Sequence, residues 1–132
     1  PTKIGKAIPD ITLDLLDGGK LETSSLKGKE TLVVFWSLTC PHCLEMLDEL
    51  KAYEGSRAEH EPELLIFTDA DPDALRETGL KSRIVLDPKY GASVEFGMFG
   101  TPSGVIVDRN GVIATEIAIG SSNIWALLGR KP

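Results

Sequence analysis

The chain has 132 residues, 42% of them hydrophobic, and its 14 basic and 20 acidic side chains give a net charge of −6. This length fits a single domain over residues 1–132 with a buried core. No apolar run approaches the roughly 18 residues of a membrane-spanning helix. An acidic chain without a basic stripe argues against nucleic acid as a partner.

The beginning of the chain predicts a β-hairpin followed by a buried strand. Residues 11–15 alternate apolar and polar side chains, and a glycine-rich turn at 17–19 leads to residues 20–22, which is typical of a hairpin. Residues 24–28 resemble one helical turn closed by glycine. The run TLVVFW at residues 31–36 is β-branched and aromatic, so we expect a buried strand there.

The middle of the chain alternates between helical and strand patterns. Residues 41–53 predict a helix, because three leucines recur on one face at Leu44, Leu47 and Leu50. Residues 63–68 predict a second buried strand, and an acidic start at residue 71 predicts a short helix ending near residue 79.

The last third predicts a hairpin and a helix. Residues 84–86 form a short apolar segment with strand character, and residues 89–96 suggest a helix. Two apolar runs, 104–107 and 112–117, flank an Asn-Gly turn, which is a strong hairpin signal. Residues 121–123 (SSN) cap a final helix that reaches Leu128. This alternation predicts an α/β protein whose sheet has helices on both faces.

Cys40-Pro41-His42-Cys43 contains both cysteines of the chain. Cysteines at this spacing on a helix lie on one face, close enough to form or release a disulfide. The proline occupies a first helical position, where its missing N–H costs nothing, so the first sulfur lies at a helix N-terminus. That placement favours a thiolate and predicts dithiol chemistry.

The sequence around the two cysteines and near residue 101 resembles that of the thioredoxin superfamily. The similarity rests on Phe35-Trp36 shortly before the CxxC motif and on Thr101-Pro102 before a strand. The N-terminal hairpin, Gly28-Lys29 and the turn after residue 107 resemble the TlpA/ResA-type branch of bacterial thiol–disulfide oxidoreductases. The resemblance covers about residues 4–128. It implies a thioredoxin fold, with a central mixed β-sheet flanked by helices on both faces and an N-terminal hairpin extension.

The resemblance also implies roles for individual residues. Cys40 is the expected nucleophile toward disulfides of protein substrates, and Cys43 is the expected resolving thiol. A cis peptide bond between Thr101 and Pro102 is implied, and both residues and Trp36 are expected to bind substrate. No organic cofactor and no metal are expected.

Partners and location follow from the same resemblance. The expected partners are proteins that carry cysteines and a membrane-bound thiol–disulfide electron carrier, with the protein itself a monomer. The chain starts at Pro1 rather than at methionine, which indicates a mature fragment. The resemblance implies a periplasmic or extracytoplasmic protein, with any membrane anchor lying in a segment absent from this sequence.

The chain departs from the family pattern at positions that matter for Cys43. Thioredoxin has a buried acid six residues before its first cysteine, where this chain has Val34. TlpA/ResA-type members often have Glu three residues after the second cysteine, where this chain has Met46. Glu45 is adjacent, but one residue turns a helical side chain by about 100 degrees. Glu45 and an ordered water are the remaining candidates for the base.

Pro41-His42 is the dipeptide found between the cysteines of strongly oxidising DsbA-type relatives. We hypothesise that Pro41 and His42 belong to the catalytic site, with His42 stabilising the Cys40 thiolate together with the helix N-terminus. A more stable thiolate stabilises the reduced form and makes the disulfide more oxidising. The family background favours a reductase and this pair favours an oxidase or isomerase, so the direction stays open.

Three other functions deserve comparison. A metal site could use Cys40, His42 and Cys43, but a closed structural site needs four ligands and His60, the only other histidine, lies in a polar stretch. A thiol peroxidase would have proline where this chain has Val33. A peptide-binding module without redox activity would leave two free thiols exposed to oxidation.

Overall fold

The computed structural model describes residues 3–130, and all the strands in that range form one mixed sheet. The strand bounds are β1 Thr12–Leu15, β2 Lys20–Glu22, β3 Thr31–Phe35, β4 Glu63–Thr68, β5 Arg83–Leu86, β6 Ser103–Val107 and β7 Ala118–Ile119. The order of the strands in the sheet is β2-β1-β5-β4-β3-β6-β7. The predicted N-terminal hairpin is confirmed as the antiparallel pair β1–β2.

The strands β3 and β4 are the centre of the sheet because every position of β3 and nearly every position of β4 is buried. They run parallel, with Phe35 opposite Phe67, and β5 runs parallel to β4 on its other side. The antiparallel neighbour β6 places Ser103 opposite Phe35. The ends of β3, β4 and β5 and the start of β6 therefore meet at one edge of the sheet.

Helices cover both faces of the sheet, which confirms the predicted α/β architecture. Their bounds are α1 Pro41–Glu45, α2 Leu47–Ser56, α3 Pro72–Glu77, α4 Gly91–Glu95 and α5 Ser121–Ala126. One core lies between the sheet and α1, α2, α3 and α5, and a second lies on the α4 side. Within residues 3–130 no helix has both the length and the apolar character needed to cross a membrane.

The predicted helix over residues 41–53 is interrupted at Met46, which separates α1 from α2. The expected leucine stripe is wrong at Leu44, whose side chain is 48% exposed. The buried face instead consists of Cys43, Met46, Leu50 and Tyr53, each at most 2% exposed. These residues have helical spacing, and α1 is therefore rotated so that Cys43 faces the core.

The predicted strand over residues 112–117 is also wrong. Val112 and Ile113 form only isolated bridges, to Ala7 and Val107, and regular pairing with β6 resumes at β7. Thr115 interrupts the ladder because its hydroxyl, rather than a backbone carbonyl, accepts the N–H of Ile106.

Helix α5 lacks the predicted side-chain cap. Gly120 is its N-cap residue, and the amide of Asn123 donates to the carbonyl of Ile119 instead.

Candidate active site

Cys40 stands at the junction between the loop after β3 and helix α1. It is the N-cap residue, with extended backbone angles (φ −98°, ψ 120°), and Pro41 follows as the first helical residue. Its side chain is partly exposed, whereas that of Cys43 is fully buried, and both thiols are free. The two sulfurs therefore lie in different environments although one helical turn carries both.

The environment of Cys40 favours the thiolate. Burial is the largest single influence on the pKa of Cys40 and raises it, but the hydrogen bonds to the sulfur together outweigh this effect. They come from the backbone and thiol of Cys43, the backbone of His42 and the side chain of Thr101, and they lower the pKa of Cys40 below its ordinary value. At a given pH, Cys40 is thus more often ionised than an ordinary cysteine.

The environment of Cys43 has the opposite effect. Burial raises its pKa to about 11, and the neighbouring Cys40 acts in the same direction. The backbone of Ser37 and the side chain of Thr101 favour the Cys43 thiolate but do not offset the burial. The pair thus combines one accessible, ionisable sulfur with one buried sulfur that keeps its proton.

Thr101-Pro102 lies directly against this pair, and the peptide bond between the two residues is cis, as expected. The sulfur of Cys40 lies 3.6 Å from the carbonyl oxygen of Thr101. On the far side, the carbonyl of Pro102 accepts the N–H of Gly120 at 2.9 Å, which links this loop to the start of α5. The loop is therefore fixed on both sides of the cis bond.

The sequence that forms this site matches a known protein family. The family model described as Redoxin matches residues 3–123. The chain belongs to the redoxin family. Together with the paired cysteines, this membership makes it a thiol–disulfide oxidoreductase, which confirms the predicted enzyme class.

Similar proteins agree with the assignment to the redoxins. The thioredoxin-like protein YneN of Bacillus subtilis is 29% identical over 126 residues, covering 89% of this chain and 72% of that protein. The thiol-disulfide oxidoreductase ResA of Bacillus thuringiensis is 23% identical over 120 residues, covering 87% and 69%. A secreted Mycobacterium tuberculosis disulfide oxidoreductase has the same fold, with a TM-score of 0.72, 19% identity and coverage of 91% and 92%.

Trp36 of this redoxin does not present a surface to substrate. Its side chain is 0% exposed, and its indole N–H donates to the carbonyl of Cys43 at 2.8 Å. The expected contact with substrate is therefore corrected, because the indole packs beneath α1. Trp36 holds the backbone of the buried cysteine in place.

The remaining predicted residues lie where the helix meets solvent. Pro41 and His42 are exposed on the first turn of α1, and the contribution of His42 to the Cys40 thiolate comes through its backbone. Glu45 is exposed, whereas Met46 is buried and apolar. The helix therefore directs the proposed acid Glu45 away from the core that holds Cys43.

The structure of the redoxin also bears on the metal alternative. Among residues 3–130, no group of three or more His, Cys, Asp or Glu side chains is arranged to hold a metal ion. His60 is exposed in a turn between α2 and β4, apart from the paired cysteines.

One residue at the site was missed by sequence reasoning. Tyr90 lies 54 positions after Trp36, yet its hydroxyl donates to the Trp36 carbonyl at 2.7 Å. It follows β5 in a short 3₁₀ turn, Pro88–Tyr90, which overlaps the start of the region predicted as a helix over 89–96. No periodic pattern points to this contact, because it depends on how the sheet brings the ends of β3 and β5 together.

Proposed function

We propose that Cys40 attacks disulfides of substrate proteins and that Cys43 completes the exchange. The Cys40 thiolate bonds to one sulfur of the substrate disulfide, and the other substrate sulfur leaves as a thiolate that takes up a proton. Cys43 then loses its proton and attacks the sulfur of Cys40, which releases the second substrate thiol and forms the Cys40–Cys43 disulfide. Two electrons pass from the protein dithiol to the substrate, and the reverse sequence donates a disulfide.

The observation that best supports this proposal is that the two sulfurs differ in exposure and in pKa. Cys40 is partly exposed with a lowered pKa, and Cys43 is fully buried with a pKa raised to about 11. The reactive species in thiol–disulfide exchange is the thiolate, so the first attack falls to Cys40. Burial protects Cys43 from external disulfides and leaves it within reach of the sulfur beside it.

We further propose that the Thr101-Pro102 loop binds the substrate backbone next to Cys40. The support is the short separation between the Cys40 sulfur and the Thr101 carbonyl, together with the partial exposure of Thr101. Pro102 is buried and shapes this loop. Pro41 and His42 are exposed on the first turn of the helix beside Cys40, and we propose that His42 contributes to the reaction from there.

The partners in this proposal are extracytoplasmic. We infer that they are proteins that contain cysteines and a membrane-bound thiol–disulfide electron carrier; the support is the similarity to a thiol-disulfide oxidoreductase of Bacillus thuringiensis and to a secreted Mycobacterium tuberculosis disulfide oxidoreductase. We infer that this protein works in the same type of compartment, as a monomer. Disulfides persist in such oxidising surroundings, where an exchange enzyme has substrates.

The test is a trapping experiment with glutathione disulfide as the probe. Cys43→Ser retains the attacking thiol and is expected to accumulate one glutathione adduct on Cys40, detected by mass spectrometry of the intact protein. Cys40→Ser, the matched control, is expected to remain unmodified because its only thiol is buried and protonated. Equal labelling of the two variants, or labelling of Cys40→Ser alone, would contradict the assignment.

A further inference from the structure

Tyr90 connects the ends of three strands beneath the paired cysteines. Its hydroxyl donates to the carbonyl of Trp36, directly after β3, at 2.7 Å. The hydroxyls of Ser37 and of Thr68, at the end of β4, interact with the same phenol oxygen. The ring is partly buried against the core on the α4 side. Tyr90 therefore fixes the point where the chain leaves β3 for the active-site loop.

The backbone that presents Tyr90 is strained. Lys89 and Tyr90 both have left-handed angles, with φ of 56° and 57°, which cost energy in residues that carry a Cβ. Buried Asp87 fixes the segment: its carbonyl accepts the N–H of Tyr90, and its carboxylate accepts N–H groups from Ala92 and Ser93. Surrounding bonds thus maintain a conformation that Tyr90 would not adopt by preference.

A single peptide group connects Tyr90 to Cys43. The carbonyl of Trp36 and the N–H of Ser37 belong to the same peptide unit. Tyr90 donates to the carbonyl end, and the N–H end stabilises the thiolate of Cys43. A donor on the carbonyl polarises an amide and strengthens its N–H as a donor. The phenol therefore acts on the buried sulfur without contacting it.

The resolving cysteine has few other groups to assist it. Val34 and Met46, which belong to the same core cluster as Cys43, are buried and apolar, and Glu45 faces solvent. The Tyr90 hydroxyl keeps its proton at neutral pH, because burial raises its pKa and the negative charge of Asp69 acts in the same direction. The hydroxyl is thus available as a donor throughout the reaction.

We propose that Tyr90 is a positioning residue for the resolving step: through the Trp36–Ser37 peptide it orients and polarises the N–H that stabilises the Cys43 thiolate. This inference rests on the proposed function. It assigns Tyr90 to the second attack, by Cys43 on the Cys40–substrate disulfide, and not to the first attack by Cys40. In that step the new bond joins Cys43 to Cys40, and the substrate sulfur leaves with the electron pair of the broken bond.

The two attacks can be followed separately in a stopped-flow reaction with dithiobis-nitrobenzoate. Attack by Cys40 releases one coloured thiolate at a rate proportional to reagent concentration. Resolution by Cys43 releases a second thiolate at a rate independent of that concentration. The variant is Tyr90→Phe, which keeps the ring and the left-handed backbone and removes only the hydroxyl. The matched control is Tyr53→Phe, because the buried Tyr53 hydroxyl also donates to a backbone carbonyl, that of Pro62 at 2.6 Å.

Tyr90→Phe is expected to slow the concentration-independent phase by about three- to tenfold, the effect of losing one hydrogen bond. The first phase is expected to keep its rate, and Tyr53→Phe is expected to keep both rates. An unchanged second phase in Tyr90→Phe, or equal slowing in both variants, would overturn the inference. Absence of the first phase in the unaltered protein would instead contradict the proposed function.

A second substitution keeps the test decisive if Tyr90→Phe does not fold. Incorporation of 3-fluorotyrosine at position 90 retains the hydroxyl and makes it a stronger donor. The second phase is then expected to become faster, the opposite of the effect of phenylalanine. A second phase that is unchanged or slower with the fluorinated residue would overturn the inference independently.

Discussion

The sulfur of Cys40 lies 3.6 Å from the carbonyl oxygen of Thr101, although the two residues are 61 positions apart along the chain. The sheet explains the contact. Strands β3 and β6 are antiparallel neighbours with Phe35 opposite Ser103, so the loop after one strand meets the loop before the other. The proposed nucleophile and the loop proposed to bind substrate are thus brought together by strand pairing.

The first prediction concerns selective alkylation of the two thiols. Because the pKa of Cys40 is lowered and that of Cys43 is about 11, iodoacetamide at neutral pH is expected to modify Cys40 alone. The rate should rise with pH through a midpoint below 9.0, the ordinary value for cysteine. Peptide mapping after a timed reaction measures this, and equal labelling of both cysteines at neutral pH would contradict the assigned environments.

The second prediction concerns the imidazole of His42. If it stabilises the neighbouring thiolate, His42→Ala raises the pKa of Cys40 and slows its alkylation at neutral pH. The exposed position of the side chain limits the expected slowing to about two- to fivefold. The control is His60→Ala, which changes the only other histidine. Superimposable pH profiles for the two variants would show that the backbone of His42 alone acts on Cys40.

The third prediction concerns the side chain of Thr101, which lowers the pKa of both cysteines. Thr101→Val keeps the shape and removes the hydroxyl, so both thiols are expected to become harder to ionise. Thr101→Ser retains the hydroxyl and is expected to preserve the titration of Cys40. Thiolate absorbance in the ultraviolet, followed against pH, measures the shift. A valine variant that titrates like the serine variant would contradict this role.

The fourth prediction separates the two tryptophans. Trp36→Phe removes the indole donor to the carbonyl of Cys43, which still accepts the N–H of Met46, and creates a small cavity, so the free energy of unfolding is expected to fall by about 1–3 kcal/mol. Trp125→Phe also removes an indole donor, but its acceptor Glu49 is only partly buried and can bind water. Urea denaturation of both variants measures the difference. An equal or larger loss in Trp125→Phe would contradict the assigned importance of the Trp36 bond.

The parts of the fold that sequence reasoning predicted are those with a local physical signal. The strands β3 and β4 were predictable because uninterrupted apolar runs are buried on both faces of a sheet. The α1 N-terminus was predictable because proline follows the cysteine that precedes the helix. The cis bond before Pro102 required resemblance to a family, since local sequence does not distinguish cis from trans.

Other features depend on tertiary contacts that no local pattern contains. The rotation of α1 was missed because Cys43 and Met46 supply its buried face and Leu44 does not. The predicted contact of Trp36 with substrate was wrong, because its indole faces the carbonyl of Cys43 beneath the helix. The contact of Tyr90 with Trp36 was not predicted, because a tyrosine with left-handed backbone angles after a strand is recognised only from the backbone of the folded protein.

The central claim, a redox-active Cys40–Cys43 pair, is tested most directly by equilibrating the protein with glutathione buffers of graded potential. We expect one reversible two-electron couple whose oxidised form has lost two hydrogen atoms and contains the internal disulfide. Because a stabilised Cys40 thiolate favours the reduced form, its potential is expected to lie above the value of about −270 mV for thioredoxin, toward about −120 mV for DsbA. Accumulation of glutathione adducts or intermolecular dimers without an internal disulfide would contradict the account.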